Sequence, residues 1–337
     1  MSVDTTHGSA VSRVAILTSG GDAPGMNAAI RTATMFLLSK GVEVVGIKRG
    51  YRGLMEERFR TLTLDKVSPI LREGGTVLGS ARCPEFHERA TRDEARRILA
   101  ARGIDGVLVI GGNGSLTGAN LLGHPQEKGD QKLAVVGIPA SIDNDIGLTS
   151  YAIGVDTAIN TIVEACDKIA DTASAFDRTF LIEVMGRACG YLAMTSAVAS
   201  GADNVLFPET HTDPEALVET VVRTVKKVAM RQGERERHSL IIKAEGTSLS
   251  SSELKDAVDA RLAAEEADIG TVVETRVTVL GHVVRGGRPS AFDRLLGSRF
   301  ANVAVDALVR GVDRHMAAWM MPIAPPASVA VKSPVDP

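Results

Sequence analysis

The chain has 337 residues, of which 44% are hydrophobic and 23% are charged, and its formal net charge at pH 7 is -3. This length exceeds one ordinary hydrophobic core, so we expect two domains of about 150 residues each. The slightly acidic balance offers no basic surface for nucleic acid, which leaves small molecules and copies of the same chain as the expected partners.

The cysteines and the apolar pattern favour a cytoplasmic location. Cys83, Cys166 and Cys189 are an odd number at wide spacings, without the paired spacing of a zinc site or a disulfide framework. No run of about 18 apolar residues occurs, and residues 1–12 lack the apolar core of a signal peptide. We therefore expect no membrane span, and a flexible arm at 1–12.

Short β-branched runs alternate with helical stretches along the chain. The predicted strands are RVAILTS, VEVVGIK, GVLVI, LAVVGI, TFLIEV, SLIIK and ETRVTVL. The predicted helices span 25–40, 92–102, 115–123, 155–175, 189–199, 212–231, 252–267 and 290–310. Unbroken apolar runs are typical of parallel strands covered on both faces, so we predict a doubly wound α/β fold that binds ligands beyond the carboxyl ends of its strands. The proline-rich end of the chain is predicted to be an edge element or a loose end.

Two glycine-rich segments allow two interpretations each. The segment 20–31 lacks the spacing of a dinucleotide fingerprint or a Walker loop. Either its helix, which begins near Gly25, presents N–H groups to an anion, or the segment is a tight strand-to-helix turn. The segment 74–86 carries Arg82, which is either a phosphate clamp or a surface arginine.

The segment 107–120, VLVIGGNGSLTGAN, is a third candidate for phosphate binding. Glycines leave the backbone bare around Asn113, and Ser115 is predicted to cap the following helix. Both roles are compatible, because a capped helix N-terminus also attracts anions.

The segment after LAVVGI carries the densest chemistry of the chain. Ser141, Asp143, Asn144 and Asp145 all fall within 141–145. Two carboxylates this close indicate either a metal ligand beside a general base or an Asx turn with solvated carboxylates.

Charged residues also follow the strands of the second half. Arg187 lies between glycines after TFLIEV, and Glu245 follows SLIIK. Arg276, His282 and Arg285 cluster around the last predicted strand, where Gly286 and Gly287 follow. We predict an anion site at this cluster.

In this order and spacing, the motifs closely resemble the 6-phosphofructokinase family. They are TSGGDAPGMN, GSARCPEF, GGNGS, SIDNDIG, EVMGR and TRVTVLGHVVRGG, and the resemblance covers about 13–311. It implies phosphoryl transfer to the 1-hydroxyl of fructose 6-phosphate, from ATP in one branch of the family and from pyrophosphate in another. It also implies two doubly wound α/β/α domains with mostly parallel sheets and an active site in the cleft between them. We expect a nucleotide-binding domain at 13–154 plus about 284–312, and a fructose 6-phosphate-binding domain at 155–283 plus about 313–337.

The resemblance assigns roles to residues at the strand ends. Asp143 corresponds to the base that accepts the proton of the sugar hydroxyl, Ser141 lies near the transferring phosphoryl group, and Asp145 helps to hold Mg²⁺. Arg82 and Arg187 correspond to cations that neutralise the phosphoryl group in flight and the bound sugar phosphate. Phosphoryl transfer depends mainly on positioning and charge stabilisation, so these residue types suit it.

The resemblance also nominates two sets of binding residues. The nucleotide set is Gly21, Tyr51, Arg82, Cys83, Gly112, Asn113, Gly114, Ser115 and Gly118. The sugar phosphate set is Ser141, Asp143, Asp145, Met185, Gly186, Arg187, Glu245, His282 and Arg285 from one subunit, with Arg178 and Arg276 from a neighbour. A site completed by a second chain requires association, so we predict a homotetramer, or at least a dimer.

The phosphoryl donor and the metal depend on three positions. In the family, pyrophosphate users carry aspartate at the position of Gly114 and lysine at that of Ala140, so the residues present favour ATP. Asn113 stands where the family usually has a metal-binding aspartate. Asp145 and Asn113 are therefore the predicted Mg²⁺ ligands, and we expect a raised Mg²⁺ requirement that Asn113→Asp partly relieves. The alternatives are a pyrophosphate-dependent enzyme acting on the same sugar, and a binding-only relative that senses sugar phosphate or nucleotide.

Overall fold

The fold is built on two largely parallel β-sheets. The computed structural model describes residues 9–176, 178–210, 212–230, 238–264 and 274–320. The strands are β1 (Arg13–Ser19), β2 (Glu43–Ile47), β3 (Phe59–Thr61), β4 (Gly106–Gly111), β5 (Ala134–Pro139), β6 (Thr179–Val184), β7 (Asn204–Leu206), β8 (Ser239–Ala244), β9 (Thr275–Val279) and β10 (His315–Met316). The first sheet has the order β10-β5-β4-β1-β2-β3 and the second the order β7-β8-β6-β9. Only the pairing of β2 with β3 is antiparallel among the described strands.

Helices cover both faces of each sheet. They are α1 (Met26–Ser39), α2 (Gly50–Met55), α3 (Leu64–Val67), α4 (Arg89–Ala101), α5 (Asn113–Leu122), α6 (Pro125–Lys128), α7 (Val155–Phe176), α8 (Tyr191–Ser200), α9 (Pro214–Ala229), α10 (Ser251–Ala264) and α11 (Ala291–Val309). Within the described part of the chain, no helix combines the length and the apolar content that a membrane crossing requires.

Alternate side chains of the central strands enter different apolar clusters. In the first sheet, Ile16 packs with α1 and α11, whereas Leu17 packs with α4 and α5 on the opposite face. In the second sheet, Ile182 packs with α7 and α8, and Leu181 with α9 and α10. This burial on both faces explains the unbroken apolar runs of the strands.

The predicted α/β fold is confirmed. Each predicted strand and helix is present, within a few residues of its expected bounds where the structure describes them. The short elements α2, α3, α6, β3, β7 and β10 were not predicted. They are too short for the periodicity of apolar residues to identify them.

The prediction that Ser115 caps α5 is wrong. The helix begins at Asn113, directly after the extended Gly112, and no side chain caps it. Ser115 is instead buried against the end of β4, where a Cβ on Gly111 would lie 2.8 Å from the Cβ of Ser115. Glycines at the strand end therefore let the helix start two residues earlier than expected.

The N-terminal end of the described chain is packed on the first sheet. The N–H of Ala10 donates to the carbonyl of Val309 over 2.8 Å, and the N–H of Ser12 donates to the Asp105 carboxylate over 2.8 Å. Val11 is buried. Residues 9–12 thus differ from the expected flexible arm, and 1–8 lie outside the described residues.

The C-terminal end of the described chain also lies on the first sheet, not on the second domain as we expected for 313–337. Met316 of β10 pairs with Gly137 of β5, because β5 would otherwise leave its outer backbone groups unpaired. The chain continues past the end of β5, where the N–H of Ser150 donates to the carbonyl of Trp319 over 2.8 Å. This part is an edge element, one of the two predicted alternatives, and 321–337 lie outside the described residues.

A buried carboxylate joins the two halves of the fold. Asp293 of α11 accepts hydrogen bonds from the N–H of Gly154 at 2.8 Å, and from the N–H and hydroxyl of Thr157 at 2.8 and 2.6 Å. These donors lie at the start of α7, where N–H groups lack partners inside the helix. Asp293 therefore fixes α7, which leads to the second sheet, against a helix of the first.

Candidate active site

A cleft of about 780 Å³ opens where the carboxyl ends of the two sheets meet. β4 lies between β1 and β5 in the first sheet, and β6 lies between β8 and β9 in the second, so the loops after these six strands converge. All of the predicted site residues line the cleft except Gly186, Arg178 and Arg276. Lining residues that the sequence did not nominate are Ser19, Gly20, Asp22, Ala81, Pro84, Phe86, His87 and Ala140.

The first turn of α5 forms one wall of the cleft with bare backbone. Because no side chain caps this helix, its first N–H groups and the positive end of its dipole are available to an anion. A Cβ added to Gly114 would meet no atom within 4 Å, so open space adjoins it. One turn later, a Cβ on Gly118 would lie 3.0 Å from the ring of Tyr51, whose hydroxyl donates to the carbonyl of Ser115 over 2.7 Å. Tyr51 thus packs against α5 and stabilises this wall.

Asn27 fixes the glycine-rich segment that leads to Arg82. Its buried side chain donates to the carbonyls of Glu73 and Gly74 over 3.0 and 3.2 Å, and accepts from the N–H of Val77 over 2.8 Å. Arg82 is exposed, lines the cleft and forms no ion pair with another described residue. Arg82 is therefore a cation that is free to bind an anionic ligand.

The N-terminus of α1 does not reach the cleft. A Cβ on Gly25 would lie 2.7 Å from the side chain of Ile153 and 3.0 Å from the carbonyl of Asp293, and Met26 is fully buried. The interpretation of this helix as an anion site is therefore wrong, because Ile153 and α11 cover its N-terminus. The segment forms the tight strand-to-helix turn that was the alternative.

The turn after β5 presents two carboxylates in different environments. Asp143 is only 4% exposed, whereas Asp145 is exposed. Asn144 has a φ of 52°, and its Oδ1 accepts from the N–H of Ala152 over 3.0 Å. The Ser141 hydroxyl accepts from the N–H of Asp143 at 3.3 Å and donates to the Asp145 carboxylate at 3.4 Å. The interpretation of this segment as an Asx turn with two solvated carboxylates is therefore wrong for Asp143, which is buried.

The surroundings of Asp143 suit a proton acceptor. Burial raises the pKa of its carboxyl above the usual range, with the charges of Arg285 and Arg187 acting in the opposite direction. Arg285 Nη2 lies 3.9 Å from Oδ1, and Arg187 Nε lies 3.8 Å from Oδ2. Oδ1 is buried and receives no hydrogen bond from the described residues. It therefore has a lone pair for a hydroxyl of a bound ligand.

Glu245 holds the loop that carries Arg187. Its Oε1 accepts from the N–H groups of Gly186 and Arg187 at 3.2 and 2.8 Å. The loop is tight: Arg187 has a φ of 52°, and a Cβ on Gly246 would lie 2.0 Å from the Arg187 carbonyl. Gly186 thus belongs to the support of the site, while the Arg187 side chain is 65% exposed and projects to the cleft.

Arg285 and His282 lie on a short 3-10 helix, Gly281–Arg285, after β9. Arg285 is 13% exposed in its side chain and donates to the carbonyl of Asp22 over 3.4 Å. A Cβ on Gly21 would lie 2.6 Å from Arg285 Nη1, so glycine is needed for this approach. Arg285 follows a strand of the second sheet and contacts Asp143 at the strand ends of the first. His282 is exposed beside it.

Arg178 and Arg276 lie outside the cleft of their own chain. Both pair with Glu274, and Arg178 also stacks on Phe176 at 4.4 Å. Val279, at the carboxyl end of the edge strand β9, is 57% exposed. Phe176, Arg178, Glu274 and Arg276 form a mixed apolar and charged surface at the amino ends of β6 and β9.

A buried ion pair near the strand ends of the second sheet could not be predicted from the sequence. Lys243 is fully buried, and its Nζ lies 3.1 Å from Glu183, which also accepts from the Ser251 hydroxyl at 2.5 Å. Lys243 therefore neutralises Glu183 and not Glu245, which remains available to the cleft.

The donor set of the cleft fits a magnesium ion bound together with a phosphate ligand. No cluster of three His, Cys, Asp or Glu side chains that could hold a metal occurs among the described residues. Mg²⁺ commonly uses one or two carboxylates and completes its shell with waters and substrate phosphates. The exposed Asp145 carboxylate, next to the uncapped end of α5, meets that requirement.

The cleft therefore combines three chemical features. A buried carboxylate has one free oxygen, Arg82 and Arg187 supply accessible cations, and α5 offers a bare helix N-terminus. Together they suit the transfer of an anionic group to a hydroxyl.

Comparisons with known proteins identify the family. The family model "Phosphofructokinase" matches residues 13–308. An ATP-dependent 6-phosphofructokinase of Thermotoga neapolitana is 43% identical over 299 residues, which cover 89% of this chain and 87% of the relative. One from Vibrio vulnificus is 44% identical over 304 residues, again covering 89% and 87%.

A solved structure agrees with these relatives. Phosphofructokinase from Saccharomyces cerevisiae is 33% identical with a TM-score of 0.78, and the match covers 93% of this chain but only 42% of the longer yeast chain. The family model, the relatives and the fold all agree, and the chain belongs to the phosphofructokinase family.

Proposed function

We propose that this chain is an ATP-dependent 6-phosphofructokinase, which transfers the γ-phosphoryl group of ATP to the 1-hydroxyl of fructose 6-phosphate and yields fructose 1,6-bisphosphate and ADP in glycolysis. The observation that carries the proposal is the buried Asp143 with its free Oδ1 between Arg187 and Arg285. The names of the relatives support ATP as the donor.

In this proposal Asp143 acts as the general base. The proton of the 1-hydroxyl passes to Oδ1 as the hydroxyl oxygen attacks the γ-phosphorus, and the bond to the β-phosphate oxygen of ATP breaks. Arg82 neutralises the phosphoryl group in flight, and Arg187 the bound sugar phosphate. Ser141 orders the turn beneath the transferring group through its contacts with Asp143 and Asp145.

The other nominated residues bind the two substrates. The nucleotide phosphates lie along the α5 wall, where Gly114 leaves room. Glu245 keeps Oε2 for a sugar hydroxyl while Oε1 holds the Arg187 loop. His282 and Arg285 supply polar and cationic groups on the sugar side.

For the metal, Asp145 and the amide oxygen of Asn113 are the proposed protein ligands of Mg²⁺. When bound, the ion supplies charge neutralisation to the phosphates of ATP. This chain's residues hold the turn and the helix end that face it.

The test is a coupled assay with fructose 6-phosphate and Mg²⁺, run with ATP and with pyrophosphate side by side. Turnover with ATP supports the proposal. Turnover with pyrophosphate alone would assign the chain to the other donor class, and binding without turnover would make it a sensor.

We also propose a cytoplasmic location for this chain, and its three free cysteines fit that proposal.

Gly114→Asp should lower kcat/KM for ATP by about 10- to 100-fold, as expected when a charged contact worth roughly 1.5–3 kcal/mol is opposed. An added Cβ would meet no protein atom within 4 Å, so the protein should fold, but the charge of the aspartate repels the nucleotide phosphates. Steady-state kinetics with varied ATP measure the effect. Asn120→Asp, which adds the same charge farther along α5, is the control. An unchanged kcat/KM in Gly114→Asp would show that nucleotide phosphates do not pass this glycine.

We further propose a homotetramer, or at least a dimer, in which Arg178 and Arg276 complete a neighbour's sugar site. The support is that both lie outside their own cleft, at the amino ends of β6 and β9, and that β9 pairs on one side only among the described strands. An active monomer in light scattering would contradict it.

Arg276→Ala should raise the KM for fructose 6-phosphate by about 10- to 100-fold, through loss of one charge-assisted contact, with little change in the KM for ATP. Mixing this variant with Asp143→Asn should restore part of the rate, because some sites then combine an intact Asp143 with a neighbour's intact Arg276. A mixture no more active than its components would mean that each chain works alone.

A further inference from the structure

Asn113 makes a contact that the aspartate usual at this position in the family could not make. Its side-chain Nδ2 donates to the backbone carbonyl of Asp145 over 2.9 Å. This bond joins the first residue of α5 to the turn that carries Asp143 and Asp145, across 32 positions of sequence. Among the described residues, no other hydrogen bond joins α5 to this turn.

A carboxylate at position 113 would reverse this contact. An ionised aspartate has only acceptor oxygens, so it would face the Asp145 carbonyl without a proton between them. It would also add a negative charge beside the carboxylates of Asp143 and Asp145. A cation between the oxygens would remove both penalties.

We propose that Asn113 is a positioning residue whose amide holds the Asp143–Asp145 turn in the absence of a divalent cation. The proposal rests on the proposed function only for its consequence in catalysis, because the hydrogen bond exists independently of the reaction. The Asn113 amide holds the turn in place, a role that a bound divalent cation would otherwise have. The wild-type turn is therefore ordered before Mg²⁺ and nucleotide bind.

The first experiment compares melting temperatures in metal-free buffer and in millimolar Mg²⁺, with no nucleotide or sugar present. Metal-free Asn113→Asp should melt roughly 2–4 °C below wild type, the shift expected for one lost hydrogen bond in a domain of this size. Mg²⁺ should restore the melting temperature of this variant and leave wild type nearly unchanged. Helix dipole effects favour an aspartate in the first turn, so they act against the expected decrease.

Asn120→Asp is the matched control. It introduces the same charge on α5, away from the cleft, and keeps the oxygen that accepts from Arg314 Nε at 2.9 Å. Its melting temperature should not depend on Mg²⁺.

The second experiment measures hydrogen exchange of peptides that cover 141–147 in the metal-free protein. Exchange should be roughly fivefold faster in Asn113→Ala and in Asn113→Asp than in wild type. Mg²⁺ should slow it again in Asn113→Asp only, because alanine provides no ligand. A residue that merely stabilised α5 would not make the exchange of this turn depend on Mg²⁺.

The proposal is overturned if the melting temperature of metal-free Asn113→Asp equals or exceeds that of wild type. It is also overturned if Mg²⁺ raises the melting temperature of wild type as much as that of the variant. Equal exchange of 141–147 in all three proteins would also overturn it. These outcomes are separate from the proposed function. A protein without kinase activity could still show the Mg²⁺-dependent turn, and an active kinase could lack it.

Discussion

Replacing Asp143 with asparagine is expected to lower kcat by about 10²- to 10⁴-fold, the usual contribution of a general base. The two side chains have nearly the same shape, and Oδ1 of Asp143 has no described hydrogen-bond donor that an amide would displace. The variant should therefore fold and bind both substrates, but an amide cannot take up the proton of the attacking hydroxyl. Initial rates with ATP and fructose 6-phosphate, with both KM values, measure the effect.

Asp293→Asn makes the same chemical change at a buried carboxylate outside the cleft, and it is the control. Its amide would face the donors of Gly154 or Thr157, so the melting temperature should fall while kcat stays near wild type. Full kcat in Asp143→Asn would refute the assignment of the base, whereas the rest of the site could still bind its ligands.

Glu127→Ala should destabilise the fold by about 3–5 kcal/mol, because it removes the carboxylate that two buried arginines share. Glu127 forms ion pairs with Arg92 and Arg96, which are 4% and 3% exposed. These contacts attach α6 to α4 on the outer face of the first sheet. Urea unfolding monitored by circular dichroism measures the loss.

Glu164→Ala removes one partner of an exposed pair with Lys168 and should leave the unfolding midpoint almost unchanged. A Glu127→Ala variant as stable as this control would mean that the buried arginines find water or other acceptors.

The same ion pairs predict an acid-sensitive contribution to stability. The hydrogen bond from Arg92, reinforced by Arg96, lowers the pKa of Glu127 from 4.5 to about 2. A lowered pKa stabilises the folded state above the unfolded pKa, and the benefit disappears as the pH falls through the folded pKa. The stability difference between wild type and Glu127→Ala should therefore be constant above pH 4.5 and shrink between pH 4.5 and 2.

Strand ends could be predicted from the sequence because a buried parallel strand has an unbroken apolar pattern, and the residue after it must lie at the sheet edge. That rule located Asp143, Arg187 and Glu245, and all three line the cleft. It does not specify what each side chain contacts. Lys243, two positions before Glu245, pairs with Glu183 instead.

Contacts between a side chain and a distant backbone group could not be predicted. Asn27 is an inconspicuous residue of a glycine-rich motif, and only packing brings Glu73, Gly74 and Val77 within reach of its amide. Asn113 is an unusual residue for its motif, but its bond to the Asp145 carbonyl depends on the register of β4 and β5. Residues of this kind have no periodic signal, since their partners are fixed by the sheet and not by the local sequence.

The two-residue strand β10 has a consequence for how the chain tolerates changes at 314–319. Exposed segments outside a core usually tolerate change because few contacts depend on them. Here the backbone of 314–317 bonds to β5, and Trp319 is bonded to Ser150 and Thr149, just beyond the turn that carries Asp143. Residues 314–319 thus support from outside the turn to which we assign the general base. A change at these positions is expected to alter the proposed chemistry through the backbone, without replacing any residue of the proposed site.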